Sequence, residues 1–238
     1  MSCDLVVAGA IIDDKNMIRQ AIQSIPEHNY RKKYICLDGC PSGKTYAVRK
    51  EYQKYINKIT LDFPEFLVIA FPENIYFREM IQHICQISSA DKLFVIQDDV
   101  VLSRRKSMNL DNIINDMDNI SDMKVLSFPH RVISKDTHWF WLLDEPGKGE
   151  YCRCHGFSER VFLCDRLSLL KLCMNYPKSN KMSKRFIEFI YHSEMKSVRW
   201  KRMTDDERLE YRLNWGTYIH NNIIHKHLVG KRANIIEI

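Results

Sequence analysis

Hydrophobic and polar positions follow two periods along the first 130 residues, and together they predict a repeat of strand and helix. Short continuous apolar runs, typical of buried strands, are separated by stretches in which apolar residues recur every three or four positions, as on one face of a helix. The predicted strands are 4–12, 34–37, 66–71, 93–96 and 124–128, and the predicted helices are 17–25, 46–56, 76–87 and 110–120. Continuous apolar strands joined by helices predict a parallel sheet covered on both faces.

The pattern is less regular in the second half of the chain. It predicts a strand at 161–164, helices at 165–175, 186–195 and 205–222, and a basic loop at 225–232. No internal repeat and no linker typical of independent domains interrupts the sequence. We therefore predict one domain over residues 1–238, with a first half at 1–130 and a second half at 131–238.

Polar residues follow three of the predicted strands. Asp38 comes after the second strand, Asn74 after the third, and Gln97-Asp98-Asp99 after the fourth. The carboxyl ends of parallel strands meet at one edge of a sheet, where such sheets bind their ligands. Adjacent carboxylates repel each other unless a cation or a donor offsets them. Because oxygen ligands suit Mg²⁺ or Mn²⁺, often completed by substrate phosphates, we expect a cation there.

Composition places the chain among ordinary globular proteins. Of its 238 residues 45% are hydrophobic and 28% charged, and 36 Lys and Arg against 30 Asp and Glu give a net charge of +6. No apolar run approaches the roughly 20 residues of a membrane helix, and the N-terminus does not resemble a signal peptide. The eight cysteines are scattered, and the cluster Cys152-Arg-Cys154-His155 lacks a second ligand pair at zinc spacing. We expect no membrane span, a reducing cytoplasmic location and a structural role for this cluster.

One segment supports an alternative function. Residues 38–45, DGCPSGKT, resemble the phosphate-binding pattern G-x-x-x-x-G-K-[ST], with Asp38 in place of the first glycine. A P-loop kinase or NTPase would use Lys44, Thr45 and Asp98. The segment follows the second strand rather than the first, which disfavours this interpretation. A basic nucleic-acid-binding domain is a third interpretation, but the sequence has no known motif for it.

Four segments together resemble a known family. In order and spacing, residues 4–25, 35–45, 71–74 and 93–102 resemble the opening strand and helix, the D-D-G-S-x-D-x-T segment, the E-N segment and the D-x-D strand of GT-A glycosyltransferases. The resemblance covers residues 4–130. It implies an α/β fold of GT-A type, a Rossmann-like, mostly parallel sheet flanked by helices. It also implies a metal-dependent enzyme that transfers a hexosyl or pentosyl group from a nucleotide-sugar donor, with UDP as the expected nucleotide.

The resemblance also implies site residues. Those expected to bind the nucleotide sugar are Ala8, Gly9, Ala10, Asp38, Asn74, Asp98 and Lys231, and those expected to bind Mn²⁺ or Mg²⁺ are Asp99 and His227. Lys231 and His227 lie in residues 227–231, HLVGK. This segment resembles the C-terminal His–Gly loop of the family, which closes over the diphosphate. A solvated basic tail is the alternative for this segment. The sequence departs from the family at Gln97, where an acid is usual, and at Gly43 or Lys44, where a second Asp is usual.

The second half is expected to supply the acceptor site. An inverting transfer needs a general base, and the family places it at a helix start well after the metal motif. Glu188, Glu194 and Glu159 are alternative candidates; Glu188 and Glu194 are the ones expected to be catalytic, and Glu188 is preferred for its apolar neighbours. The acceptor is expected to be a hydroxyl of a glycan or other biomolecule. A nucleic-acid acceptor stays open, because residues 176–232 hold 13 Lys and Arg against six Asp and Glu. The aromatic residues Trp139, Phe140, Trp141 and Phe157 are either a sugar-stacking wall or part of the core.

Overall fold

The strands assemble into one large sheet and a separate two-stranded ribbon. The structure, a computed structural model, describes residues 1–9, 16–40, 46–102, 108–129, 142–145, 148–175, 187, 201–221 and 225–228, and only the backbone of 175, 211–215 and 227. The strands are β1 (Cys3–Gly9), β2 (Lys33–Leu37), β3 (Leu67–Ala70), β4 (Lys92–Gln97), β5 (Val100–Leu102), β6 (Val125–Ser127), β7 (Tyr151–Arg153), β8 (Val161–Asp165), β9 (Thr217–His220) and β10 (His225–His227). The helices are α1 (Met17–Ser24), α2 (Tyr46–Asp62), α3 (Tyr76–Ile87), α4 (Leu110–Asn119), α5 (Arg166–Asn175) and α6 (Asp205–Trp215).

The large sheet has the order β3-β2-β1-β4-β8-β6-β9-β7. Its first four strands are parallel, as their continuous apolar runs predicted. Strand β8 is antiparallel to both β4 and β6, so β6 runs in the same direction as β4, and β9 is parallel to β6. The carboxyl ends of six strands, β1, β2, β3, β4, β6 and β9, therefore lie at one edge, which we call the carboxyl edge.

Helices cover both faces of this sheet. One hydrophobic cluster joins side chains of α1, α2 and α4 to one face, and a second joins side chains of α3 and α5 to the other. The strand residues alternate between the two clusters, since successive side chains of a strand point to opposite faces. Val95 and Phe162 belong to one cluster, and their neighbours Ile96 and Val161 belong to the other. This α/β/α arrangement confirms the predicted fold class, a mostly parallel sheet flanked by helices.

Two predictions for the end of the chain were wrong. The helix predicted over 205–222 ends at Trp215, and Thr217–His220 forms β9. Gly216 stops the helix because it has a φ of 54°, and a side chain there would overlap the backbone of Asp122. The loop predicted from His225 contains β10, which pairs with β5.

The amino edge of the sheet carries charged groups that neutralise one another. Asp4, in β1, is 0% exposed, and its carboxylate accepts hydrogen bonds from the Arg31 guanidinium at 3.1 and 3.0 Å and from Ser88 Oγ at 2.7 Å. The Lys32 amide also donates to it. At the start of β4, the Lys92 ammonium lies 3.0 Å from Asp118. No helix within the described ranges has the length and apolar character needed to cross a membrane.

Candidate functional site

The end of β1 links two acidic segments of the carboxyl edge. The Ala8 carbonyl accepts a hydrogen bond from the amide of Asp98 at 3.0 Å, and the Gly9 carbonyl accepts one from the amide of Asp38 at 3.1 Å. The central strand is thus bonded on one side to the residue that follows β2 and on the other to the residue that follows β4. Asp38 and Asp98 flank the same strand end, as the sequence predicted from their positions after buried strands.

The Asp38 carboxylate organises the loop that leads into α3. Its Oδ1 atom accepts three backbone hydrogen bonds, from Gly39 at 2.9 Å, Ile75 at 2.8 Å and Tyr76 at 3.2 Å. Tyr76 has a φ of 66°, which is unfavourable for a residue with a large side chain, and the bond that its amide donates to Asp38 helps to hold it there. Burial raises the pKa of Asp38, while the three N–H donors act in the opposite direction.

The loops after β2 and β3 are packed directly against each other. A side chain at Gly39 would overlap the backbone of Glu73, so only glycine permits this approach. The Asn74 amide donates to the Cys40 carbonyl at 3.2 Å. Asn74 Oδ1 is a buried acceptor that receives no hydrogen bond from any described residue. An unsatisfied buried acceptor is uncommon and calls for an explanation.

The hydroxyl of Tyr52 links the chain at the end of β2 to the chain at the end of β3. This residue was not identified from the sequence. Its hydroxyl donates to the Asp38 carbonyl at 2.8 Å and lies 3.3 Å from the carbonyls of Leu37 and Phe71. Burial raises the pKa of Tyr52, so the hydroxyl stays protonated as a donor. In the sequence Tyr52 is only one apolar-face residue of α2, and nothing local distinguishes it.

Asp98 and Asp99 form the turn between β4 and β5. Each is only 3% exposed. Gly9 lies beside this turn, since a Cβ atom added to it would be 3.4 Å from Asp98 Oδ2. Because Gly9 has no side chain, its backbone lies close to the Asp98 carboxylate.

The C-terminal strand reaches the same turn. Strand β10 pairs antiparallel with β5 in the register His225–Leu102, Lys226–Val101 and His227–Val100. The Leu228 amide then donates to the Asp99 carbonyl at 2.7 Å. The backbone of His227 thus lies opposite Val100, the residue that follows Asp99.

Glu159 precedes β8 and also lies at the carboxyl edge. The carbonyl of its neighbour Arg160 accepts a hydrogen bond from the Gln97 amide at 2.9 Å. Glu159 is 3% exposed, and its Oε2 atom accepts a hydrogen bond from the Ile187 amide at 2.8 Å. Ile187 is itself fully buried against α3 and α5. This contact joins distant parts of the sequence, so no local pattern could have revealed it.

Several expected residues lie outside the described part of the chain. These are Ala10, Lys44, Thr45, Glu188, Glu194 and Lys231, together with Trp139, Phe140 and Trp141 and the side chain of His227. Of the proposed aromatic wall, Phe157 is described. It is 2% exposed and packs edge-on against Phe162 at 4.9 Å, so it belongs to the core.

The eight cysteines are all free and buried. Cys152 and Cys154 pack against Ile219 in a small cluster, consistent with the structural role expected for them. Among the described side chains, no three or more His, Cys, Asp or Glu residues are arranged to hold a metal ion. The carboxylates of the 98–99 turn are nevertheless the hard oxygen ligands that Mg²⁺ and Mn²⁺ prefer, and such ions are often held by one or two carboxylates and substrate phosphates.

The geometry around Asp38 disfavours the P-loop alternative. A P-loop presents backbone N–H groups to phosphate oxygens. Here the Gly39 amide donates to the neighbouring Asp38 carboxylate and is not available to a phosphate oxygen. A phosphate at that place would meet a second negative charge.

Solved structures share this fold. No protein-family model matches the sequence, and no curated protein matches it either. The structure of Staphylococcus aureus TarS 1-349 in complex with UDP-GlcNAc aligns with 100% of the chain at a TM-score of 0.55 and 9% identity. The structure of TarS 1-349 alone aligns with 96% of it at 0.54 and 8%. GalNAc-T7 with UDP, GalNAc and Mn²⁺ aligns with 97% of it at 0.55 and 9%.

The chain spans 61% of the TarS 1-349 structure and 44% of GalNAc-T7. At this low identity the similarity establishes the fold. The chain therefore has a GT-A fold, which confirms the fold that the four strand-end segments predicted.

Proposed function

We propose that the protein is a nucleotide-sugar glycosyltransferase that uses a divalent cation. The observation that carries this proposal is the pair of acidic segments at the end of β1. Asp38 and Asp98 are bonded through their backbones to Gly9 and Ala8, so two acidic groups flank a strand end made of small residues. In an open α/β sheet this is where a ligand binds, and the fold is shared with glycosyltransferases whose structures contain UDP or UDP-GlcNAc.

Asp38 and Asn74 would recognise the nucleoside. The Oδ1 atom of Asp38 accepts hydrogen bonds from three backbone amides, which leaves Oδ2 as the acceptor for a ligand N–H or O–H group. Asn74 Oδ1 is a second buried acceptor beside it. A nucleoside offers donors of both kinds, a base N–H and ribose hydroxyls. Ala8, Gly9 and Ala10 would line the same pocket, and a UDP-sugar is the donor we propose.

The turn after β4 would meet the diphosphate. Asp98 would contact the nucleotide sugar, and Asp99, with His227, would hold Mn²⁺ or Mg²⁺. When bound, the cation neutralises charge on the departing nucleoside diphosphate. Lys231 would add a positive charge on the same side, since the C-terminal strand is fastened to this turn by the bond from Leu228 to Asp99.

Glu188 would be the general base that removes the acceptor hydroxyl proton, with Glu194 as the second candidate. The support is the anchor that precedes it. Ile187 is bound through its amide to Glu159 and through its side chain to the core, so the chain enters residue 188 from a fixed position. A hydroxyl of a glycan or other biomolecule is the proposed acceptor, and the second half of the chain is the proposed acceptor-binding region.

A binding test comes first. UDP and UDP-sugars should raise the thermal midpoint of the full chain in the presence of Mn²⁺, because a ligand of the folded state stabilises it by mass action. GDP- and TDP-sugars serve as the comparison for nucleotide choice. A clear shift with ATP and Mg²⁺, together with none for any nucleotide sugar, would reject the proposal in favour of a phosphotransferase.

A kinetic test separates the base from the donor site. Glu188→Gln should lower kcat for sugar transfer by about 10²–10⁴-fold, the usual contribution of a positioned base. It should leave the UDP affinity unchanged. Glu194→Gln, at the second candidate base, is the comparison variant on the same segment. If Glu194→Gln loses transfer and Glu188→Gln does not, the two roles are exchanged.

A further inference from the structure

His225 is buried and hydrogen-bonded at the point where the C-terminal strand meets the sheet. It is 2% exposed, and its Nδ1 atom lies 2.7 Å from the carbonyl oxygen of Phe128. Because a carbonyl oxygen only accepts, Nδ1 must carry the proton and donate. The backbone amide of His225 donates to the next carbonyl, that of Pro129, at 2.9 Å. Two consecutive carbonyls after β6 thus hold one residue of β10.

The residues that follow His225 reach the acidic turn. Strand β10 pairs with β5 for three residues and ends with the bond from the Leu228 amide to the Asp99 carbonyl. A two-stranded ribbon of this length is not stable by itself in water. It needs an attachment to the body of the protein, and the contacts of His225 with Phe128 and Pro129 provide one.

The attachment point is itself rigid. Phe128 is 0% exposed, and its ring packs against Phe94 at 6.0 Å and stacks with His220 at 5.8 Å. Phe94 belongs to β4, the strand that leads into the acidic turn. The Phe128 carbonyl is therefore fixed relative to both β4 and β6, and a side chain bonded to it is fixed relative to Asp99.

We propose that His225 is a positioning residue for the diphosphate site: by donating from Nδ1 to the Phe128 carbonyl, it holds β10 in register with β5 and so keeps the C-terminal segment against Asp99. This inference rests on the proposed function, because it assigns His225 a role in binding UDP with a divalent cation. His225 acts through the backbone of β10 and does not itself touch the ligand.

The test uses three substitutions of one side chain. Asn carries an N–H donor on Cγ, where His carries Nδ1, so His225→Asn can keep the bond to Phe128. Gln carries its donor one bond further out, and Ala carries none. Titration calorimetry of UDP with Mn²⁺ should show about a tenfold rise in Kd for His225→Ala and His225→Gln, the scale of losing a residue that orients metal ligands. His225→Asn should bind close to wild type.

Hydrogen exchange of the ligand-free proteins provides the second measurement. The amides of Val100–Leu102 and of 225–228 should exchange faster in His225→Ala than in the wild type and return toward wild type in His225→Asn. His28→Ala is the control, because the His28 ring is also buried and its Nδ1 lies 3.0 Å from Asp111 on α4. It should leave both readouts at the ribbon unchanged.

The outcomes are distinguishable. If the wild type binds UDP with Mn²⁺ and His225→Ala binds equally well, His225 has no positioning role and the inference fails while the proposed function stands. If His225→Asn loses affinity as fully as His225→Ala does, the bond to Phe128 is not what matters, and the inference fails again. A wild type that binds no nucleoside diphosphate with Mn²⁺ overturns the proposed function and this inference with it.

Discussion

Buried carboxylates have different hydrogen-bond partners at the two edges of the sheet. At the amino edge, Asp4 receives both arms of the Arg31 guanidinium and the Ser88 hydroxyl, so its charge is neutralised within the protein. At the carboxyl edge, Asp38 receives three backbone amides on one oxygen. Among the described residues no Lys or Arg forms an ion pair with Asp38. The difference separates a carboxylate that stabilises the fold from one that we propose as a ligand acceptor.

The neutralised carboxylate of Asp4 and the amide-bonded carboxylate of Asp38 affect the stability of the folded protein differently. A buried charge that is paired and hydrogen-bonded adds to stability or leaves it unchanged, whereas removing its partners is expensive. Burial raises the pKa of Asp38 although its three amide donors act in the opposite direction, so its surroundings oppose the charged form. Functional residues should therefore be replaceable without unfolding the protein, and Asp4 should not.

Asp99→Asn should give the largest loss of function at the carboxyl edge. Replacing one carboxylate oxygen by an amide group removes charge from the proposed cation site with little change of shape. We expect kcat/KM for sugar transfer to fall by about 10²–10³-fold, roughly 3–4 kcal/mol, with the thermal midpoint close to wild type. Steady-state kinetics and thermal unfolding measure both. Asp205→Asn, on the exposed side of α6, is the control, and equal activity of the two variants would contradict the role of Asp99.

Asp4→Ala should reverse that pattern at the amino edge. It leaves Ser88 Oγ, a buried donor, without its acceptor, which costs about 1–3 kcal/mol, and it also removes the partly buried bonds from the Lys32 amide and the Arg31 guanidinium. We expect the free energy of unfolding in urea to fall by about 2–3 kcal/mol by the same reasoning. The kcat/KM of the folded fraction should stay at the wild-type value. A variant that loses activity while keeping its stability would mean that the two edges are not functionally separate.

The sequence predicted the carboxyl edge well where a residue follows a buried strand directly. Asp38 and Asp98 directly follow β2 and β4, Asn74 comes in the loop after β3, and a parallel sheet brings these strand ends together. The prediction depended only on local pattern and on one rule of topology. It held because β1 to β4 are the strands in which that pattern is strongest.

The other parts of the site depend on pairing between distant segments. Strand β10 is the polar tripeptide His225-Lys226-His227, which has no strand signal, and it exists because β5 and Phe128 supply its partners. The contact of Glu159 with Ile187 joins residues 28 positions apart. Strand β9 was hidden inside a predicted helix that Gly216 ends. In each case the partner determines the structure, and a single sequence does not reveal which segments are partners.

Asp38→Asn should have the smallest of the three effects, and it tests most directly whether Asp38 differs from Asp4 in binding a ligand. The amide oxygen can replace Oδ1 as acceptor for the three backbone donors, so the second position becomes an NH₂ group where the carboxylate had an acceptor. A ligand N–H or O–H that bonded to Oδ2 then meets a donor. Since a hydrogen bond to a charged group contributes about 1.5–3 kcal/mol, we expect the affinity for UDP to fall at least about tenfold, measured by titration calorimetry.

Asp38→Asn should lower the affinity for UDP, but as the pH rises it should become more stable than the wild type. The folded protein raises the pKa of Asp38 above its ordinary value of 3.8, so the protonated form is the one the fold favours. The contribution of Asp38 to stability is therefore largest below that value and is lost as the pH rises through the folded pKa. Asn does not ionise, so Asp38→Asn should gain stability relative to wild type between acid and neutral pH in urea unfolding. A variant that instead loses stability over this range, or binds UDP as tightly as wild type, would place Asp38 with Asp4 among the carboxylates that serve only the fold.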